Sequence, residues 1–231
     1  MLKALLWDVD GTLIDFPSSE RYALRKCFEL FGLGECTDEM LSVYSGINRR
    51  YWSYLEQGKM RKKQILVSRF EEFFSLYGLP ANISSDFNDE FQVRLSEQIE
   101  YIDGALETLE ALNGKILQFA VTNGTKADQE LKLNRSGLNR FFETVFISEV
   151  IGYDKPDRRF FDIVFKQTGL TEPGSTMIIG DSLSSDIRGG IDYGLITCWY
   201  DPDLNDIPEG LAIDYHVRSL RQIPSILESI I

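Results

Sequence analysis

The sequence holds one histidine, three cysteines and fewer basic than acidic residues, 24 against 36, in 231 positions. Each scarcity excludes something. His216 stands alone and no Gly-x-Ser-x-Gly elbow accompanies it, so a Ser-His-Asp hydrolase is ruled out and the histidine reads as structural. Cys27, Cys36 and Cys198 have neither an even count nor metal-ligand spacing, which argues against a disulfide framework or a zinc site and for reduced thiols. A formal net charge of −12 disfavours nonspecific attraction to nucleic acid or anionic membrane, since both need basic surface. No run of about 18 apolar residues is present, so no membrane-spanning helix is expected. Met1-Leu2-Lys3-Ala4 runs straight into an apolar segment, leaving no room for a signal peptide; the expectation is a cytoplasmic protein. Internal repeats and low-complexity segments are lacking too.

What is present, 43% hydrophobic and 26% charged residues, describes an ordinary globular chain, long enough for one large domain or a core with a smaller insert. Its organising stretch is Leu5-Leu6-Trp7-Asp8-Val9-Asp10-Gly11-Thr12-Leu13. Ala4 to Trp7 reads as a strand buried on both faces. Asp8 and Asp10 then end it. Two carboxylates about 4 Å apart repel by roughly 4 kcal/mol at an effective dielectric near 20, so such a pair at a strand's carboxyl end calls for a cation. In an open α/β sheet, ligands bind at that edge. Alone, the stretch also fits a solvated Asp-Gly turn.

From about residue 15 to 100 the pattern is helical. Pro17-Ser18 opens one helix with Leu24, Phe28 and Phe31 on one face; Thr37 caps a second, with Asp38 and Glu39 in its first turn. Leu66, Phe70, Phe73, Phe74 and Tyr77 make an apolar stripe ended by Gly78, and Phe87, Phe91 and Leu95 repeat it. At this spacing the aromatics belong to a core. Tyr51 and Trp52 could stack on a ring, and Arg49 or Arg50 could meet a polar edge. From Gly104 strands and helices alternate: strands are expected at 116–121, 144–147, 176–179 and 195–199, with another at Tyr215-His216-Val217, a surface loop after Trp199, and a last helix from Ser219 carrying Ile223, Leu227 and Ile230. The fold expectation is therefore α/β: a doubly wound parallel sheet, the Asp8 strand central, with an inserted all-helical domain. The division is residues 1–14 and 101–231 for the core and 15–100 for the insert.

Each strand's carboxyl end carries a distinctive group. The first has Asp8 and Asp10; the second has Thr122-Asn123-Gly124, a hydroxyl with backbone amides suited to an anion; the fourth has Gly180-Asp181 and, five residues on, Asp186. Lys155 precedes a helix in Tyr153-Asp154-Lys155-Pro156. Three acids, a lysine and a hydroxyl on loops at one sheet edge describe a magnesium-dependent phosphate site, since this hard cation takes oxygen ligands and bridges carboxylates to phosphate oxygens.

Asp8-Val-Asp10-Gly-Thr12, Thr122, Lys155 and Gly180-Asp181-Ser-Leu-Ser-Ser-Asp186, in that order, resemble the four motifs of the haloacid dehalogenase-like hydrolase superfamily. The resemblance covers the whole chain, including a helical cap after the first motif. It implies a phosphatase: the dehalogenase branch lacks the second aspartate, supplied here by Asp10. By the same resemblance Asp8 is the nucleophile forming an aspartyl-phosphate, and Asp10 the general acid and base. Asp8, the Asp10 carbonyl and Asp181 would hold Mg2+, with Asp186 a ligand through water or an orienting group. Thr122, Asn123 and Lys155 would meet the phosphoryl group. Within the superfamily the chain is similar to bacterial pyrimidine 5'-nucleotidases, on Asn48 to Phe74 of the cap, Val121-Thr-Asn-Gly124, Ile147 to Gly152 with Lys155-Pro156, and Gly189 to Trp199. The implied partner is a small phosphomonoester, with no nucleic acid polymer or membrane, and the chain a monomer or weak homodimer. Phosphoglycolate or a sugar phosphate is the alternative substrate; a non-catalytic binding protein on this fold is disfavoured by the presence of Asp8, Asp10, Lys155 and Asp181.

Overall fold

The computed structural model describes residues 1–229. Its first strand, β1 (Ala4–Trp7), is fully buried and alternates between two cores. Leu5 and Trp7 enter one apolar cluster, Ala4 and Leu6 another, as the two-residue period of a strand requires. Around it lie β2 (Leu117–Thr122), β3 (Thr144–Ile147), β4 (Thr176–Gly180), β5 (Ile196–Tyr200) and β6 (Tyr215–Val217) in the order β3-β2-β1-β4-β5-β6. All pairings are parallel. The expected sheet, with the Asp8 strand central, is therefore present, with strand ends shifted by a residue here and there. Strand order reverses at β1, where β2 lies on one side and β4 on the other, so the crevice beyond its carboxyl end is the natural binding place.

Helices cover both faces. The Leu5/Trp7 cluster takes in Leu109 from α5 (Ala105–Leu112), Leu133 from α6 (Lys126–Ser136) and Ile223 from the C-terminal helix; the Ala4/Leu6 cluster takes in Phe160, Phe161 and Val164 from α8 (Arg158–Thr168). Short helices α7 (Ser148–Ile151) and α9 (Arg188–Tyr193) and the terminal α10 (Ile223–Glu228) complete the set. Ser219 caps a 3-10 turn leading into α10, so the last helix begins four residues later than its capping residue; Ile230 lies outside the described residues. The loop after Tyr200 is largely exposed.

Four helices, α1 (Phe16–Leu30), α2 (Asp38–Glu56), α3 (Lys62–Leu76) and α4 (Ser84–Arg94), leave the sheet after β1. Asp15 caps α1 through Ser18 N (3.0 Å) and Thr37 caps α2 through Met40 N (3.3 Å). They bury their own aromatic cluster, in which Phe28, Tyr44, Phe70, Phe73, Phe74, Phe87 and Phe91 are at most 1% exposed. Tyr44 stacks on Phe70 at 5.0 Å, and Phe70 meets Phe87 and Phe91 edge-on at 4.9 and 5.2 Å. The strands into and out of this unit run side by side: Asp15 N donates to Glu100 O (2.8 Å) and Ile102 N to Leu13 O (3.0 Å). All three cysteines are buried free thiols. His216 stacks on Trp199 (4.4 Å) with Nε2 3.1 Å from Asp201 Oδ2. Among the described residues no helix is long and apolar enough to cross a membrane.

Phe70 meets the rings of Tyr44, Phe74, Phe87 and Phe91, so Phe70→Ala is expected to cost about 3–5 kcal/mol. Urea unfolding followed by fluorescence checks this; a loss below about 1 kcal/mol would show that the helical unit does not depend on that cluster.

Candidate active site

The carboxyl ends of β1, β2 and β4 deliver Asp8, Asp10, Thr122 and Asp181 to one cavity of about 290 Å³, walled opposite by α1 and α2. Lys155 Nζ, 1% exposed, is its electrostatic hub. It donates to Asp8 Oδ1 (2.8 Å), Asp186 Oδ1 (2.7 Å) and the Val121 carbonyl (2.7 Å). An ammonium has three hydrogens, and all three are taken. Burial alone would lower the lysine; Asp186 and Asp8 more than offset that and hold it above its usual range.

The acids move the other way. Burial pushes Asp8 up to about 7, against the pull of Lys155 and with the push of Asp186. Asp181 opens to solvent through the cavity mouth but is ringed by protein, and this desolvation, with Asp8 and Asp186 beside it, holds it well above the usual carboxylate range. Burial also raises Asp186, opposed by Lys155. One oxygen each from Asp8, Asp181 and Asp186 lies within 4.8 Å of the others. Three carboxylates this close are stable as anions only with more positive charge than one lysine supplies. The donor set is all hard oxygen, as magnesium prefers.

Small groups hold this crowd in place. Thr12 Oγ1 donates toward Asp8 Oδ2 (3.1 Å) and Asp181 Oδ1 (3.3 Å) and accepts from Asp181 N (3.1 Å). Gly11 has φ +93°, and a Cβ there would stand 2.5 Å from Asp181 Oδ2; one on Gly180 would stand 2.2 Å from Asp186 Oδ2. Only glycine fits at either place. Asn123 clamps the lysine's loop: its Nδ2 donates to Lys155 O and its Oδ1 accepts from Lys155 N, both at 2.8 Å. What Asn123 can still offer an anion is its second Nδ2 hydrogen and its main-chain N–H. Thr122 Oγ1 accepts from Gly124 N (3.0 Å), and its hydroxyl hydrogen is free to donate.

Asp10 is held from α6, which the sequence reading missed. Its Oδ1 lies 2.5 Å from Lys132 Nζ and its Oδ2 accepts from Gln129 Nε2 (2.7 Å). Lys132 is fully buried, also paired with buried Asp128 (3.0 Å). Asp128 and Lys132 stand four apart on a helix of mostly polar residues, a pattern indistinguishable in sequence from a solvated surface pair. Of the four α2 side chains considered above, only Arg49 and Trp52 line the cavity. Arg50 and Tyr51 turn to Glu72 on α3, where the Tyr51 hydroxyl donates at 3.1 Å and Arg50 forms an ion pair. The helical period decides this, since residues 45, 48, 49, 52 and 56 share one face.

The model of haloacid dehalogenase-like hydrolases matches residues 5–200. The chain belongs to that family. It is 36% identical to HAD-hydrolase YfnB of Bacillus subtilis (strain 168) over 226 residues, 97% of this chain and 95% of that one. The crystal structure of YfnB bound to magnesium, which reveals interdomain movement, superposes with a TM-score of 0.92 at 35% identity and covers 98% of both chains. Identity is 30% to the pyrimidine 5'-nucleotidase YjjG of Escherichia coli (strain K12), over 96% of each chain, and 34% to the pyrimidine 5'-nucleotidase PynA of Streptococcus pneumoniae (strain ATCC BAA-255 / R6), over 87% of this chain and 84% of that one. The chain is accordingly a hydrolase of this family, on its fold.

Removing the buried cation leaves buried Asp128 and half-buried Asp10 without a countercharge. Lys132→Met is expected to cost about 3–5 kcal/mol, and adding Asp128→Asn is expected to restore part of it. Urea melts of the single and double variants decide; no recovery in the double variant would mean that the ion pair with Asp128 is not what Lys132 satisfies.

Proposed function

We propose that this hydrolase cleaves phosphomonoesters with magnesium through an aspartyl-phosphate on Asp8, and that its substrates are pyrimidine nucleoside 5'-monophosphates. The observation that carries the chemistry is the arrangement of Asp8, Asp181 and Asp186 around Lys155, with ligand oxygens within 4.8 Å of one another. The relatives named pyrimidine 5'-nucleotidase support the substrate class.

Asp8, Asp181, the Asp10 carbonyl and Asp186, directly or through water, are the groups that would hold Mg2+. The ion would supply charge neutralisation of the acids and of the phosphoryl oxygens. The chain's own groups do the rest. An oxygen of Asp8 bonds to phosphorus as the bond from phosphorus to the ester oxygen breaks. Asp10 gives that departing oxygen a proton, then takes one from the water whose oxygen attacks phosphorus and breaks the bond to Asp8. Orthophosphate leaves and both aspartates are restored. Lys155 holds the carboxylate plane of Asp8 and offsets charge as the phosphoryl group arrives; Thr122 and the main-chain amides after β2 orient its oxygens. Residues 15–100 act as a cap that closes over the sheet edge and keeps bulk water from the intermediate.

Asp8→Asn is expected to fold normally and lose turnover by about a thousandfold or more. Phosphate release from UMP, dUMP, dTMP, purine monophosphates, phosphoglycolate and sugar phosphates checks this: a preference in kcat/KM for pyrimidine monophosphates is the expected result, and wild-type activity in Asp8→Asn would remove Asp8 as nucleophile. Magnesium is expected to raise the Tm of the wild type, and Asp181→Asn to abolish that rise. An equal rise in both would place the ion elsewhere.

A further inference from the structure

The cavity wall made by the cap contains a carboxylate that the hydrolytic chemistry does not use. Glu20, on α1, lines the cavity and is 3% exposed. Its Oε1 accepts from Asn48 Nδ2 (2.6 Å), and Asn48 Oδ1 accepts from Arg69 Nη1 (2.6 Å). Arg69 is 1% exposed. Its other partners are the Leu66 carbonyl (3.3 Å), Asn88 Oδ1 (3.0 Å) and the faces of Phe70 and Phe91. None of these is an anion. A buried guanidinium stays charged and can only donate, which sets the direction of the whole line. The Asn48 oxygen must face Arg69, so the Asn48 nitrogen faces Glu20, and Glu20 must accept. Its negative charge balances Arg69 across a single amide. Burial raises the Glu20 carboxyl, while Ser45, Asn48, Arg69 and Arg49 pull it back.

A carboxylate has about four lone-pair directions; Asn48 and Ser45 take two of those of Glu20, which borders the cavity. Beside it stand the apolar bodies of Phe16 and Trp52 and the cationic donor Arg49; the Ser45 hydrogen is already given to Glu20. An acceptor beside a cationic donor, with aromatic side chains next to both, fits a flat ring that carries an N–H next to a carbonyl. We propose that Glu20 accepts the N3–H of a uracil- or thymine-type base, with Arg49 on a neighbouring carbonyl. Asn48 and Arg69 are positioning residues that keep Glu20 an acceptor. Cytosine presents a lone pair at N3 and is disfavoured there, since two acceptors would meet in a buried site. This assignment rests on the nucleotidase reading and narrows it from pyrimidines to imide bases.

The test measures kcat/KM on UMP, CMP, N3-methyl-UMP and ribose 5-phosphate for the wild type and Glu20→Gln. The wild type is expected to favour UMP over CMP and over N3-methyl-UMP by about tenfold or more each, the size of one lost hydrogen bond to a charged group. In Glu20→Gln the amide oxygen can still accept from Asn48, which turns its nitrogen to the cavity as a donor; the UMP-to-CMP ratio is expected to fall by about tenfold or more. A merely structural role would lower both nucleotides together and leave that ratio unchanged, which would overturn the assignment. So would a wild type that accepts N3-methyl-UMP or CMP as readily as UMP. Should Glu20→Gln fail to fold, the N3-methyl comparison on the wild type decides alone. A wild type with no preference for any pyrimidine monophosphate over ribose 5-phosphate would instead sink the nucleotidase reading, and this assignment with it.

Discussion

Three carboxylates, Asp8, Asp181 and Asp186, meet beside Asp10 at one sheet edge where desolvation and mutual repulsion oppose the ionisation of the three. Much of the surrounding structure answers that constraint. Lys155 spends every hydrogen it has on Asp8, Asp186 and a strand carbonyl. Lys132 does the equivalent for Asp10 and Asp128 from the other side. Two glycines stand where the acids crowd so closely that a methyl group has no room. Even so, the balance is incomplete: Asp8 and Asp181 keep raised protonation. A charged, oxygen-rich site short of positive charge has the donor chemistry that a divalent cation takes.

The helical unit answers a different problem. It must stand as a fold of its own while presenting a polar face to the cavity. Its aromatic cluster supplies the first requirement, since rings such as Phe70 bury large area and meet edge-on. Several polar contacts tie it to the rest of the chain. Lys62 meets Ser148 Oγ and Asp154 Oδ1 at 2.5 Å each, Gln92 Oε1 accepts from Thr125 (2.9 Å), and Ser96 accepts from Arg135 (2.7 Å). Glu20, Asn48, Arg69, Asn88, Gln92 and Thr125 also form a continuous hydrogen-bonded line through the unit. It runs from the cavity wall to the loop just beyond β2, so the two sides of the cavity share one buried polar network.

Legibility in the sequence followed the range of the forces involved. Strand and helix identity rests on local period, and the alternation after Gly104 was readable because strands such as β4 and β5 are nearly continuous buried runs and helices such as α5 and α8 carry an apolar stripe. Asp8, Asp10, Thr122, Lys155, Asp181 and Asp186 were readable as a group because a parallel sheet puts every strand's carboxyl end on the same edge. Lys132 was not, because an i,i+4 acid–lysine pair looks the same whether it faces water or a buried aspartate. Arg50 and Tyr51 separated from Arg49 and Trp52 only once the rotation of α2 relative to the cavity was known.

By itself, then, the order of residues determined the architecture and the set of acids at its edge, since both follow from patterns that repeat within a few residues or from the geometry common to parallel sheets. What only the tertiary structure decided is which groups hold those acids and what the cap turns toward them. Contacts such as Lys132 with Asp10, or Arg69 through Asn48 to Glu20, join residues on different helices. Their energy depends on burial and on a distance of a few ångströms, and neither is written in the local pattern of the chain.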